Sequence, residues 1–274
     1  MADKYIAVAM SIYKNDIDYQ IKEALDSLVC QSYYLFDIYI QVDGVVSDEI
    51  EKLLRIYECK YPFFHIEYMK NNKGLAYQLN QIISKVNDSG KYSYLARMDA
   101  DDICHPERFF TQINFLEDNP DIAVVGSSAI EFNENGDEKY KKMLCSHDEL
   151  YLNIIKRCPF NHPTVMFNLN IIDKKDIIYN DSLLNTQDYY LWVELLKKGY
   201  KFSNIEKPLL RFRVNSDFFN RRGLKKAIND TKARYYAMNT LKLFTLSNIN
   251  HTVLLFLLRI SPSFIKRTAY QYLR

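Results

Sequence analysis

With 274 residues, 48% of them hydrophobic and 26% charged, the chain has the composition of a soluble globular protein and the length for one large domain or one domain with an appendage. No low-complexity tract or internal repeat interrupts it, so repeat and low-complexity classes are excluded. The net charge of +2 hides a division, because residues 221–274 hold eleven Lys and Arg against one acid, Asp230, leaving that stretch at +10 and the first 220 residues at −8.

Met1-Ala2-Asp3-Lys4 runs straight into a strand pattern with no basic n-region or long apolar stretch, so a cytosolic location is expected. Strand-like runs occupy Tyr5–Ser11, Phe36–Val42, Phe64–Met69 and Tyr92–Met98. Helical patterns intervene at about Asp16–Cys30, Ser47–Tyr61 and Lys73–Val86. This alternation predicts βαβ units around a mainly parallel sheet with helices on both faces, an α/β domain whose ligands sit beyond the carboxyl ends of the strands. Tyr13, Asp43 and Asp99 then share one rim. Further along, a helix is expected from Pro106 to Asn119, a strand at Ile122–Phe132, and a second block follows. That block comprises helix Asp148–Arg157, strand Thr164–Asn168, helix Gln187–Lys198 closed by Gly199, and strand Phe202–Phe212 with Pro208 at an edge or bend. After Asn220 the pattern is helical to the end, broken at Pro262. The five cysteines, Cys30, Cys59, Cys104, Cys145 and Cys158, are widely spaced without a C-x-x-C pair, which argues for free thiols over disulfides or zinc.

The densest chemistry lies in Arg97-Met98-Asp99-Ala100-Asp101-Asp102, where a strand ends in three carboxylates within four residues. Like charges this close raise one another's pKa unless a cation sits among them, and Mg²⁺ and Mn²⁺ prefer oxygen ligands. Taken alone, a D-x-D triplet serves equally well as a solvated turn before a helix.

Four features in order carry a resemblance: Ser11-Ile12-Tyr13-Lys14-Asn15 after the first strand, Asp43-Gly44 ending the second, the run Asn72-Lys73-Gly74-Leu75-Ala76-Tyr77-Gln78-Leu79-Asn80, and Asp99-Ala100-Asp101. With Asn161-His162-Pro163-Thr164, Gln187-Asp188-Tyr189-Tyr190-Leu191-Trp192 and Arg211-Phe212-Arg213, the chain over about residues 5 to 215 resembles a family 2 glycosyltransferase of the GT-A fold. The resemblance implies a Rossmann-like catalytic domain over residues 1–220, with a donor half to about 104 and an acceptor half from 105, and a basic helical extension over 221–274. It implies transfer of a sugar, with inversion, from a nucleotide diphosphate sugar, most often a UDP-sugar, to a glycan hydroxyl.

By the same resemblance Ser11 and Tyr13 cradle the nucleobase and ribose, and Asp43 accepts from a base N–H. Lys73 and Gly74 open a helix at the diphosphate. Asp99 belongs to the ribose and metal environment and Asp101 contacts the Mn²⁺ or Mg²⁺ ion; Asp102 has no firm role. Asp188 at a helix start is the base, kept ionised by the helix N-terminus, and an N-cap would explain that residue too. His162 lines the acceptor side, and Arg211 and Arg213 meet diphosphate or carrier phosphate. Many relatives place a metal-binding His just after this point, whereas this chain has Val214-Asn215-Ser216. The Gln-x-x-Arg-Trp pattern and the membrane spans of processive synthases are absent, which points to single addition.

The run His251 to Arg259 is too short to span a bilayer. Beside Lys266, Arg267, Arg274, Tyr270 and Tyr272 it suits either an interfacial helix on anionic lipid or a cap on the domain. With the family resemblance it points to a polyprenyl-diphosphate-linked acceptor at the cytoplasmic face, in O-antigen or capsule assembly; no nucleic-acid motif accompanies it. Two competing readings remain: a nucleotidyltransferase, which should show a Gly-rich loop that residues 10–15 lack, and a non-catalytic nucleotide-sugar sensor or membrane scaffold.

Overall fold

The structure, a computed structural model, describes residues 4–183, 185–214 and 224–261. Its first half is the expected alternation: β1 (Ile6–Tyr13), α1 (Asp18–Val29), β2 (Phe36–Asp43), α2 (Asp48–Lys60), β3 (Phe64–Tyr68), α3 (Leu75–Ser89) and β4 (Tyr94–Arg97). The second half runs β5 (Ile103–Cys104), α4 (Arg108–Asp118), β6 (Ile122–Phe132), β7 (Glu138–Lys141), α5 (His147–Asn153), β8 (Met166–Asn168), α6 (Gln187–Lys197) and β9 (Lys201–Arg213), followed by α7 (Leu224–Leu241) and α8 (Leu246–Ile260).

The strands form one sheet in the order β3-β2-β1-β4-β8-β6-β9-β5, with β7 on the edge of β6. Strands β1 to β4 are mutually parallel, as the βαβ pattern requires. β8 then runs antiparallel to both β4 and β6, which makes the sheet mixed at its centre. The strands are nearly continuous apolar runs because both faces are covered. Ile6, Val8, Met10 and Ile12 pack against α1 on one side, and Ala7 and Ala9 join α3 and α6 on the other.

Several predicted boundaries move for identifiable reasons. The first helix begins at Asp18 because Asp16 closes a turn back on Tyr13, its carboxylate accepting from the Tyr13 N–H at 2.8 Å. The helix expected from Pro106 begins at Arg108. Ser146 and Glu149 form a reciprocal cap that starts α5 at His147. β9 passes through Pro208, and the β6–β9 register shifts around its partner Ser128, the bend expected there. The C-terminal helix is two helices, because Lys242 takes a left-handed φ of 58° and Thr245 caps α8 through the Asn248 N–H. The break expected at Pro262 lies outside the described residues.

At Gly126 on β6 a Cβ would stand 2.3 Å from Asn204 Oδ1 and 2.7 Å from Phe160 Cδ1. Asn204 cannot swing away freely, since its Nδ2 donates to Leu144 O and Pro159 O. Gly126→Ala is therefore expected to destabilise the fold by about 1–3 kcal/mol through overpacking. A urea unfolding midpoint equal to that of the parent would show that Asn204 and Phe160 yield without cost.

Candidate active site

Register brings the first site residues together. Tyr13 lies opposite Asp43 and Ser11 opposite Gln41 on β1 and β2, while Ala9 faces Arg97 on β4, so all three strands end at one rim. Ser11 is half-buried, and Tyr13 presents its ring at 37% exposure. Asp43 is only 3% exposed and is already engaged. Its Oδ1 accepts from the Lys73 N–H at 2.7 Å and from Gln78 Nε2, and its Oδ2 accepts from the Gly74 N–H at 2.8 Å. Because Gly74 has no side chain, Asp43 caps α3 from the neighbouring strand. About one of a carboxylate's four acceptor positions is left for a base N–H. Gly74 holds a φ of +88°, a left-handed backbone that favours glycine, and Lys73 beside it is exposed.

The acidic loop follows β4. Arg97, buried at the strand end, donates to Met98 O and pairs with Asp99 Oδ1. Asp99 stays partly open, while burial together with the Asp99 charge pushes Asp101 up to about 6. Asp102 is fully buried and raised well above the usual carboxylate range by desolvation, then by Asp99 and Asp101. Its Oδ1 accepts from the Arg213 N–H at 2.9 Å and its Oδ2 has no partner among the described residues. A fourth carboxylate faces this group. Asp16 is pushed up to about 7, chiefly by burial and also by Asp101 and Asp99. Sequence reading placed Asp16 only as a helix start; its position five residues after Ser11 on the same rim was the available signal.

Arg213 is committed to protein. Besides its backbone bond to Asp102, its Nε donates to Asp101 O at 2.9 Å and its Nη2 pairs with Glu23. It braces the acidic loop, where the sequence reading had it meeting phosphate. Arg211, exposed at the β9 edge, pairs with Glu138 and stacks over Phe132 at 4.6 Å. Neither Glu23 nor Glu138 is legible as a partner from sequence, because both pairings cross more than 70 residues.

On the opposite side of the rim, His162 Nε2 and the Tyr179 hydroxyl are 2.8 Å apart. Burial, and then the Arg97 charge, hold His162 well below the usual imidazole range, so its ring is neutral near pH 7. Tyr179 is fixed by its backbone, with Asn80 on α3 bonding both its N–H and its carbonyl. Burial raises the pKa of its hydroxyl, with Arg97 opposing the rise and Asp188 and Asp99 adding to it. Asp188 occupies the first turn of α6. The helix start was expected to keep it strongly ionised; instead burial wins and raises its pKa, against the opposing pull of the Tyr189 N–H and of Lys226 from α7.

Asp99 and Asp101 offer hard oxygen donors, and their mutual repulsion is the kind that a divalent cation relieves. No three His, Cys, Asp or Glu side chains converge into a closed metal cage among the described residues. Asp99 and Asp101 would thus hold a divalent ion as a pair of oxygen donors. Of the Val214-Asn215-Ser216 segment, residues 215 and 216 lie outside the described residues.

Comparison with known proteins agrees with this arrangement. Residues 8–176 match the family described as Glycosyl transferase family 2. The amylovoran biosynthesis glycosyltransferase AmsE of Erwinia amylovora is 30% identical over 79% of this chain and 79% of its own. An Escherichia coli UDP-Gal:alpha-D-GlcNAc-diphosphoundecaprenol beta-1,3-galactosyltransferase is 29% identical over 84% of this chain and 82% of its own. In structure, Staphylococcus aureus TarS 1-349 in complex with UDP-GlcNAc superposes with a TM-score of 0.63 over 96% of this chain and 83% of that one, at 15% identity. The Pyrobaculum calidifontis mannosyltransferase PcManGT, in complex with GDP-Man and Mn²⁺, superposes at 0.62 over 97% and 75%, at 13% identity. Those two likenesses speak for the fold. The chain belongs to glycosyl transferase family 2 and is a glycosyltransferase built on the GT-A fold, a mixed, mostly parallel sheet flanked by helices.

Proposed function

We propose that the chain transfers a sugar from a UDP-sugar to a hydroxyl of a polyprenyl-diphosphate-linked glycan, with inversion, at the cytoplasmic face of the membrane. The product class is a bacterial surface polysaccharide repeat unit such as an O-antigen or capsule. One observation carries the reading: strands β1, β2 and β4 end at one rim, where Asp43 is bonded to the start of α3 and Asp99 and Asp101 follow β4, the donors and acceptors that a nucleotide diphosphate sugar with a divalent ion would need. The undecaprenol-linked substrate in the name of the Escherichia coli relative supports the acceptor class, and the amylovoran relative supports the polysaccharide context.

In this reading Tyr13 and Ser11 hold the base and ribose, the last acceptor position of Asp43 meets a base N–H, and Lys73 with the start of α3 faces the diphosphate. Asp101 and Asp99 would hold a divalent ion, Mn²⁺ or Mg²⁺, and when bound it would supply positive charge where the leaving diphosphate gains negative charge. The acceptor oxygen attacks the anomeric carbon from the side opposite the diphosphate. The bond to the diphosphate oxygen breaks with its electron pair, and Asp188 takes the hydroxyl proton. Neutral His162, held by Tyr179, orients the acceptor by hydrogen bonding, and Arg211 at the rim meets the carrier phosphate.

Calorimetric titration of the four nucleoside diphosphates is expected to select UDP, with affinity that falls at least about tenfold on chelation of the metal or in Asp101→Ala, as for loss of a charge-neutralising contact. Equal binding in the chelated protein would remove the metal from the donor site.

Asp188→Asn is expected to lower kcat by roughly 10² to 10⁴ while UDP binding persists, the range for a lost general base. The base must be ionised to act, and burial raises its pKa. The acidic limb of the kcat profile therefore lies above the ordinary carboxylate range, with activity falling as pH drops through it. A limb at or below that range, or a variant that keeps its rate, would exclude Asp188 as the base.

A further inference from the structure

Helix α8 buries two polar side chains and leaves an apolar stripe exposed. Asn248 and Thr252 are buried against α7, where Asn248 Nδ2 donates to Leu243 O at 2.9 Å and Thr252 Oγ1 to Asn248 O. Arg259, which the sequence reading offered to lipid, pairs inward with the buried Asp230 of α7. The opposite side holds Leu246 at 81% exposure, Ile249, Val253, Leu254 at 65%, Leu257 and Ile260, a stripe at helical spacing. At the start of the stripe Phe244 and Tyr235, both exposed, meet edge to face with centroids 5.9 Å apart. Leu255, Phe256 and Leu258 are partly buried, but the stripe leaves in water apolar surface that burial would favour covering.

From the stripe and its charge setting we infer that α8 docks on an anionic lipid surface, lying in the interface with its leucines among the acyl chains. At 15 residues α8 is about 22 Å long, shorter than a hydrocarbon core, and no described helix is long and apolar enough to cross one. Charge selects the occupant. The one acid of residues 221–274 is Asp230, which is buried and paired with Arg259 and Lys226, while Lys232 and Lys242 are exposed and the sequence of the extension is basic as a whole. A second copy would bring the same positive charge against it, whereas phosphate headgroups complement it. Tyr235 and Phe244 are aromatic groups of the kind that settle at the headgroup level. Lys266, Arg267, Arg274, Tyr270 and Tyr272 lie outside the described residues, and they enter only through the charge of the sequence. The inference deepens the lipid-linked acceptor reading and rests on it for its purpose, while the docking itself is tested separately.

The test is flotation of the full chain with vesicles of phosphatidylglycerol and phosphatidylethanolamine, and with vesicles of phosphatidylcholine. Val253 and Leu257 are both about half exposed, so Val253→Glu with Leu257→Glu charges the stripe without entering the core. The parent should float with the anionic vesicles in preference to phosphatidylcholine, and the double variant at least about tenfold less, with UDP binding and melting temperature unchanged. A parent that stays at the bottom with anionic vesicles, floats equally with both kinds, or floats as well after the double substitution would overturn the proposal. So would a parent that sediments as a dimer and becomes a monomer in the variant, because a second copy would then cover the stripe. Transfer to a short water-soluble acceptor is measured alongside. Transfer without flotation removes the docking and leaves the chemistry, and flotation without transfer does the reverse.

Discussion

A buried guanidinium holds the catalytic rim together. Arg108, at the start of α4, is wholly enclosed, and its Nη2 donates to Arg97 O at 2.9 Å and to Val165 O at 3.3 Å. Its Nε donates to Gln112 Oε1, and Gln112 in turn donates to Thr164 O at 2.8 Å. Two side chains one helical turn apart therefore fasten the strand end that launches the acidic loop to the turn that carries His162. Burial lowers the Arg108 pKa and the Asp102 charge pulls it back up, although no carboxylate bonds it directly. Enclosing an unpaired cation is costly, and it is sustained here by carbonyls aimed at it from two strands. A lysine has one point of charge where this site uses a fork of donors, so the geometry depends on arginine itself.

The acidic loop carries a second, less complete balance. Asp16, Asp99, Asp101 and Asp102 face one another, and of the three arginines around them Arg97 and Arg213 are divided between charge and backbone. Arg97 spends one donor on Met98 O, Arg213 one on Asp101 O, and Arg108 all its oxygen bonds on neutral carbonyls and an amide. Burial first, and then repulsion within the group, raises the pKa values of Asp16, Asp101 and Asp102. Repulsion of this kind is what a bound cation would relieve, which is the physical basis of the proposed metal at Asp99 and Asp101.

The parallel half of the fold and the family motifs were readable because they are local: apolar runs of strand length, helical spacing between them, and glycine at the turns that need a positive φ. The parts that escaped are set by the tertiary structure. β5 has two residues and β7 has four, too few for periodicity, and they exist because β9 and β6 offer them edges. Asp43 is visible as a strand-end acid, but that it caps α3 follows only from the approach of residues 72–74 to β2. Arg213 reads as a phosphate ligand until Glu23, 190 residues away, is seen to pair with it. Tyr179 sits in an irregular segment with no motif, and its importance lies in Asn80 and His162, which touch it from distant elements.

The C-terminal extension had looked like a separate basic appendage, yet α7 makes it continuous with the site. α7 covers α6 with Ala227, Ala233, Ala237 and Met238 buried, and Tyr236 bonds Glu194 across that contact. From the same helix Lys226 lowers the pKa of Asp188 on one side and pairs with Asp230 on the other, and Asp230 in turn holds Arg259 of α8. Three charges in series thus connect the proposed base to the helix whose leucines face outward. The chain fixes the distance from the Asp188 carboxylate to the outer face of α8 through packed helices and not through a linker. In the proposed reading, an acceptor anchored by its lipid would be presented to Asp188 at a height set by α7, and that height would limit the glycan lengths that reach the base.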